Sequence, residues 1–173
     1  MFKKMALLVT LTAFCCVAAS AQAAEQWQTF KSDNGKFSVL MPCKPAVEAQ
    51  EVKSDDGPVK QAFHSCENRT GYFMVTFVDY PKASKEKAML DAYRDNGLKS
   101  TGSKVVTEAP LTLDTYPGRE IVANGLVDKS EVVFNWRIYL VDKRIYALTA
   151  ATTKENSKSP DISKFMSSFS LVK

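Results

Sequence analysis

The strongest constraint on the fold of this 173-residue chain is an alternating segment at residues 131–141. Apolar side chains occupy every second position, and Asn135 and Arg137 lie between them. Successive side chains of a strand point to opposite faces, so this segment predicts a strand with one buried face. The turn Asp142-Lys143 then predicts a short hairpin into a second apolar strand at residues 145–153. The apolar face of the first strand consists of Val132, Phe134, Trp136, Ile138 and Leu140.

Further short strands, separated by turn residues, precede this hairpin. The segment 72–80 is apolar in both phases, which predicts an interior strand covered on both faces. Tyr116-Pro117-Gly118 and Asp33-Asn34-Gly35 are typical turn sequences. The other predicted strands are residues 27–30, 37–41, 47–53, 59–67, 104–113 and 119–127, and the other predicted turns are residues 55–58, 68–71 and 128–130.

Two helices complete the pattern. The first is predicted at residues 84–98, with Ser84 as its N-cap and Gly97 near its end. The second begins with Ser159 as N-cap and Pro160 at the first helical position. Hairpin connections with two helices favour the α+β class, an antiparallel sheet flanked by helices in an α/β/α sandwich. The second helix carries one apolar stripe, formed by Ile162, Phe165, Met166 and Phe169.

The N-terminus has the three parts of a secretory signal peptide. Lys3 and Lys4 precede an apolar run at residues 5–19, and Ala21-Gln22-Ala23 follows it. The expected cleavage between Ala23 and Ala24 divides the chain into a signal peptide, 1–23, and one globular domain, 24–173. We therefore expect a periplasmic or secreted protein that meets the membrane only through its transient signal peptide.

Two kinds of anchor are alternatives to cleavage. A run of about 15 residues is short for a hydrocarbon core of about 30 Å, which disfavours a membrane-spanning helix. Cys15 and Cys16 raise the alternative of a lipid anchor. Phe14 and Cys15 precede those two cysteines, where lipidation requires a small residue.

Cys43 and Cys66 remain after cleavage and are expected to form a structural disulfide, because export leads to an oxidising compartment. Two buried free thiols are the alternative. Cys43 is in phase with Phe37, whereas Cys66 is in phase with His64 and not with Phe63. The bridge is therefore expected to need a bulge or a break in phase, which Pro42 would supply.

No catalytic, cofactor or metal site is predicted. His64 is the only histidine, and its neighbour Ser65 must point to the opposite face of the same strand. Two cysteines and one histidine are too few for a zinc site. The scattered basic residues give no support for nucleic-acid binding. Six tyrosines either line a cleft or lie in the core and its rim, namely Tyr72, Tyr80, Tyr93, Tyr116, Tyr139 and Tyr146.

Several landmarks, taken in order, resemble bacterial exported proteins of the PsbP-like fold, named for an extrinsic subunit of photosystem II. The resemblance extends from about Phe30 to Leu171. It implies an antiparallel sheet flanked by helices and a non-catalytic domain that binds partners outside the cytoplasm. The landmarks are the run from Asp33 to Pro42, Tyr116-Pro117-Gly118-Arg119-Glu120, Arg137-Ile138-Tyr139-Leu140, Tyr146-Ala147-Leu148 and Phe165-Met166-Ser167-Ser168-Phe169.

Three classes of function remain open. The first is an accessory domain of the cell envelope that binds an unknown envelope protein, and an exposed apolar patch favours it. The second is a carrier of a small apolar ligand in a cleft between sheet and helix, which a large enclosed cavity favours. The third is an enzyme with an unrecognised site, which requires His64 or a perturbed carboxylate in a cleft. The sequence favours the first class, a protein that is not an enzyme.

The first testable prediction concerns processing. We expect the mature N-terminus to be Ala24, because the small residues Ala21 and Ala23 stand where signal peptidase reads the chain. Intact mass measurement of the exported protein tests this. A retained Met1 or a cysteine carrying a diacyl group would contradict the cleavage.

Overall fold

The computed structural model describes residues 26–54, 57–82 and 85–172. Within these ranges the chain forms ten strands and two helices. In chain order they are β1 (Gln28–Ser32), β2 (Phe37–Met41), β3 (Ala46–Ser54), β4 (Gly57–Glu67), β5 (Gly71–Asp79), α1 (Glu86–Thr101), β6 (Lys104–Leu113), β7 (Tyr116–Val127), β8 (Ser130–Val141), β9 (Arg144–Thr152), α2 (Pro160–Ser167) and β10 (Ser170–Leu171).

Seven strands form one antiparallel sheet in the order β3-β4-β5-β9-β8-β7-β6. Hairpin pairing accounts for every neighbouring pair except β5 and β9, whose register runs from Gly71 opposite Thr152 to Asp79 opposite Arg144. The remaining strands form a small antiparallel sheet in the order β1-β2-β10. The α+β class predicted from the hairpin pattern is therefore confirmed.

The seven-stranded sheet carries an apolar core cluster on each face. On one face, which we call the α1 face, Met89 and Leu90 of α1 pack on the apolar phases of β7, β8 and β9. On the other, the α2 face, Phe165 of α2 and Phe37 of β2 pack on β4, β5 and β9. Strand β5 is an interior strand, as predicted, and contributes Phe73 and Val75 to the α2 face. The predicted cover on both faces is only partial, because Tyr72 on the α1 face is 37% exposed. The α2 face is covered by the small sheet as well as by a helix.

The second helix follows its sequence pattern. Pro160 is the first residue of α2, and the Ser159 hydroxyl accepts a hydrogen bond from the backbone N–H of Asp161. Ile162, Phe165 and Met166 are buried, as the apolar stripe requires. In the first helix, α1 begins at Glu86 after Lys85, while the predicted cap Ser84 lies outside the described residues.

Two predictions at glycines are wrong. Helix α1 continues through Gly97 to Thr101, and Gly102 ends it with a positive φ of 59°, a conformation that suits glycine. Tyr116-Pro117-Gly118 is the start of β7, and the turn lies before it, where Asp114 has a φ of 54°. A side chain at Gly118 would collide with the backbone carbonyl of Ile138 on the adjacent strand. Close approach of two strands, not a turn, explains that glycine.

The predicted disulfide between Cys43 and Cys66 is present and links the end of β2 to β4. The expected bulge is absent, because β4 pairs in continuous register with both β3 and β5. Ala62, His64 and Cys66 all point to the α2 face and are buried there, whereas Phe63 points to the α1 face. Cys66 therefore faces the core without a bulge in β4, and Cys43 lies in the bend that follows β2, next to Pro42.

The second testable prediction follows from the position of this bond between the small and large sheets. Replacing both cysteines, C43A with C66A, should lower the free energy of unfolding by roughly 2–4 kcal/mol, because the unfolded chain loses a constraint. The fold should persist, since the core clusters on both faces remain. Denaturant titration monitored by circular dichroism measures the change. An unchanged midpoint, or two free thiols in the unreduced protein, would contradict a stabilising bond.

Candidate functional site

A groove on the α1 face lies between helix α1 and the uncovered half of the seven-stranded sheet. Helix α1 packs on β7 and β8, at one side of the sheet. Strands β3, β4 and β5, together with part of β9, extend beyond the helix. The groove therefore arises because one helix is too narrow to cover a sheet of seven strands.

Partly exposed residues on interior strands form the floor of the groove. Thr149 and Ala151 lie on the central strand β9, yet both are partly accessible. Met74 on β5 and Phe63 on β4 are also partly accessible, and Tyr72 is 37% exposed. Central strands of a folded sheet are normally covered. Because these side chains are partly accessible, this part of the α1 face presents an open apolar surface.

The groove has a volume of about 540 Å³. This lies within the range of roughly 300–1,000 Å³ that is usual for small-molecule sites. It is open on one side and not an enclosed cavity. Most of its lining is apolar or aromatic, including Val52, Phe63, Met74, Val78, Phe134 and Trp136.

Helix α1 forms one wall of the groove, and Gly97 lies in that wall. Its missing Cβ would lie 3.5 Å from Cη2 of Trp136, which is ordinary van der Waals contact. The Ser100 and Thr101 hydroxyls both donate to the Gly97 carbonyl, each at 2.9 Å. Glycine inside a helix costs about 1 kcal/mol relative to alanine, so the local structure does not account for this residue.

The charged residue of the groove and one of its tyrosines interact with other side chains of the protein. Arg94 is the charged residue of the lining, and its guanidinium pairs with Asp95 at 2.8 Å and with Glu108 at 3.0 Å. The Tyr93 hydroxyl hydrogen-bonds with the Thr76 side chain, and burial raises the pKa of Tyr93. Burial also raises the pKa of Tyr80. Among the described lining residues the groove thus has no unpaired charge, and burial favours the neutral form of Tyr80 and Tyr93.

Half of the tyrosines considered in the sequence lie at this site. Tyr72, Tyr80 and Tyr93 line the groove, as the cleft alternative predicts. Tyr139 and Tyr146 are buried in the α2-face core instead, which agrees with the other alternative. A cleft between sheet and helix was one of the alternatives left open by the sequence, but its residues were not predicted. A sequence cue was nevertheless present, since Thr76 and Thr149 place polar groups in the α1 phase of two interior strands.

His64 lies away from the groove, in the core between the two sheets, and is 3% exposed. Its ring contacts Phe30, Phe37 and Phe77 at centroid distances of 5.2–5.9 Å. Its Nε2 lies 3.3 Å from the Ser32 hydroxyl, which already accepts the Gly35 N–H. The Ser32 hydroxyl is therefore free to donate its hydrogen to an unprotonated Nε2. This buried pair has the geometry of a structural hydrogen bond, and Ser65 points to the opposite face.

The predicted turn at residues 68–71 is present and joins β4 to β5. The Asn68 side chain accepts the backbone N–H groups of Thr70 and Gly71 and so builds the β4–β5 turn. In the ranges that the structure describes, no three His, Cys, Asp or Glu side chains converge as metal ligands. No helix within those ranges is long and apolar enough to cross a bilayer. The predicted cleavage site, Ala23 and Ala24, lies outside the described residues.

Comparison with solved structures identifies the fold. No family model and no curated protein matches the sequence. The solution structure of cyanobacterial PsbP (CyanoP) from Synechocystis sp. PCC 6803 is similar, with a TM-score of 0.56 and 10% identity over 89% of this chain and 97% of that chain. A crystal structure of a Pseudomonas aeruginosa protein of unknown function has a TM-score of 0.45 and 6% identity over 79% of this chain and 90% of that one. The chain therefore has a PsbP-like fold, which confirms the resemblance seen in the sequence.

The third testable prediction concerns His64. Burial lowers its pKa below the ordinary value of 6.5. As the pH falls below 6.5, the unfolded chain therefore binds a proton before the folded protein does. The contribution of His64 to stability is complete above pH 6.5 and declines below it, by at most about 1.4 kcal/mol per pH unit.

Urea titrations at pH 7.5 and 5.5 measure this dependence in the wild type and in His64→Gln. We expect the variant to lose less stability between the two pH values, whatever its stability at pH 7.5. Equal losses in the two proteins would show that His64 does not titrate in this window.

Proposed function

We propose that this protein is an exported, non-catalytic binding protein of the bacterial cell envelope and that the groove on the α1 face is its binding site. Export rests on the signal-peptide pattern of residues 1–23. The disulfide between Cys43 and Cys66 is consistent with an oxidising compartment, either the periplasm or the extracellular medium. Residues 24–173 are proposed to be one mature domain.

The observation that carries the binding function is the accessible floor on the central strand β9. Burying apolar surface is favourable by about 25 cal/mol per Å², so an occupant gains free energy by covering Ala151, Met74 and Phe63. The lining offers an apolar contact surface and no unpaired charge among its described residues. A carrier or accessory role suits such a surface better than acid–base or nucleophilic catalysis does.

An accessory role with a protein partner is the function implied by the PsbP-like fold. The groove agrees with it in part, since an exposed apolar surface is the feature expected of such a domain. The cleft expected of an apolar-ligand carrier is also present, in the predicted place between sheet and helix, although it is open and not enclosed. Both roles use the same surface, so one experiment tests whether it binds.

The fourth testable prediction concerns this surface. The anionic apolar dye 1-anilinonaphthalene-8-sulfonate should bind the folded exported protein at one saturable site, because the groove exposes apolar area in the native state. Thr149→Glu places a negative charge on the floor, which repels the sulfonate of the dye, and should weaken binding at least tenfold. Fluorescence titration gives the two affinities.

Thr107→Glu is the matched control, because Thr107 is an exposed threonine on edge strand β6, outside the groove. It should bind the dye as the wild type does. Circular dichroism verifies that each variant is folded. Equal dye binding by the Thr149 and Thr107 variants would reject the groove as the site.

A further inference from the structure

No further inference is drawn: the strongest candidate, the open apolar floor of the groove on the α1 face, belongs to the site already described, and nothing in residues 26–54, 57–82 and 85–172 shows what covers it.

Discussion

The packing of Phe37 joins the small sheet to the seven-stranded sheet and to the residues that follow α2. The position of the small sheet depends on this packing. Its ring is fully buried and contacts His64 of β4, Tyr146 of β9 and Phe169 after α2, at centroid distances of 5.2–6.2 Å. Residue 37 can reach this position because the preceding turn is tight. A Cβ at Gly35 would collide with the Phe37 ring, so this turn requires glycine. The small sheet is thereby fixed on the large one.

Polar contacts complete the same junction. Arg144 forms an ion pair with Asp79 and donates hydrogen bonds to the carbonyls of Asn34 and Gly35, at 3.1 and 3.0 Å. The Tyr146 hydroxyl also donates to Gly35, at 2.7 Å. The hydrogen bond with Asp79 raises the pKa of Arg144 further above its usual value, so the clamp stays charged. The α2 face is thus closed by aromatic packing, a disulfide and hydrogen bonds.

Much of this architecture could be predicted from the sequence. In these elements the apolar residues of the local pattern are the same residues that the tertiary structure buries. The alternation in β8 and the stripe of α2 report which side chains are buried, and both faces of β5 are apolar as expected of an interior strand. Predictions failed where the reason for a residue lies in a distant part of the chain. Glycine is required at position 118 because the carbonyl of Ile138 on the neighbouring strand lies too close for a side chain. Cys66 faces a core, and not solvent, because the small sheet packs on β4. The groove depends on how much of a seven-stranded sheet one helix covers, and the only local sign of it is the polar Thr76 and Thr149 in the α1 phase of two interior strands.

The unequal cover of the two faces has a consequence for how the protein opens. Helix α1 has only Met89 and Leu90 as buried residues, lacks a side-chain cap at Lys85 and contains Gly97 in its interior. The elements of the α2 face are tied together by the Cys43–Cys66 bond and by Phe37. Native proteins open locally in cooperative units, and a unit with fewer buried contacts has a lower free energy of opening. We therefore expect the amide hydrogens of α1 to exchange through a smaller opening than those of β2 and β4, which should require global unfolding. The wall of the groove could then open while the strands beneath it stay folded.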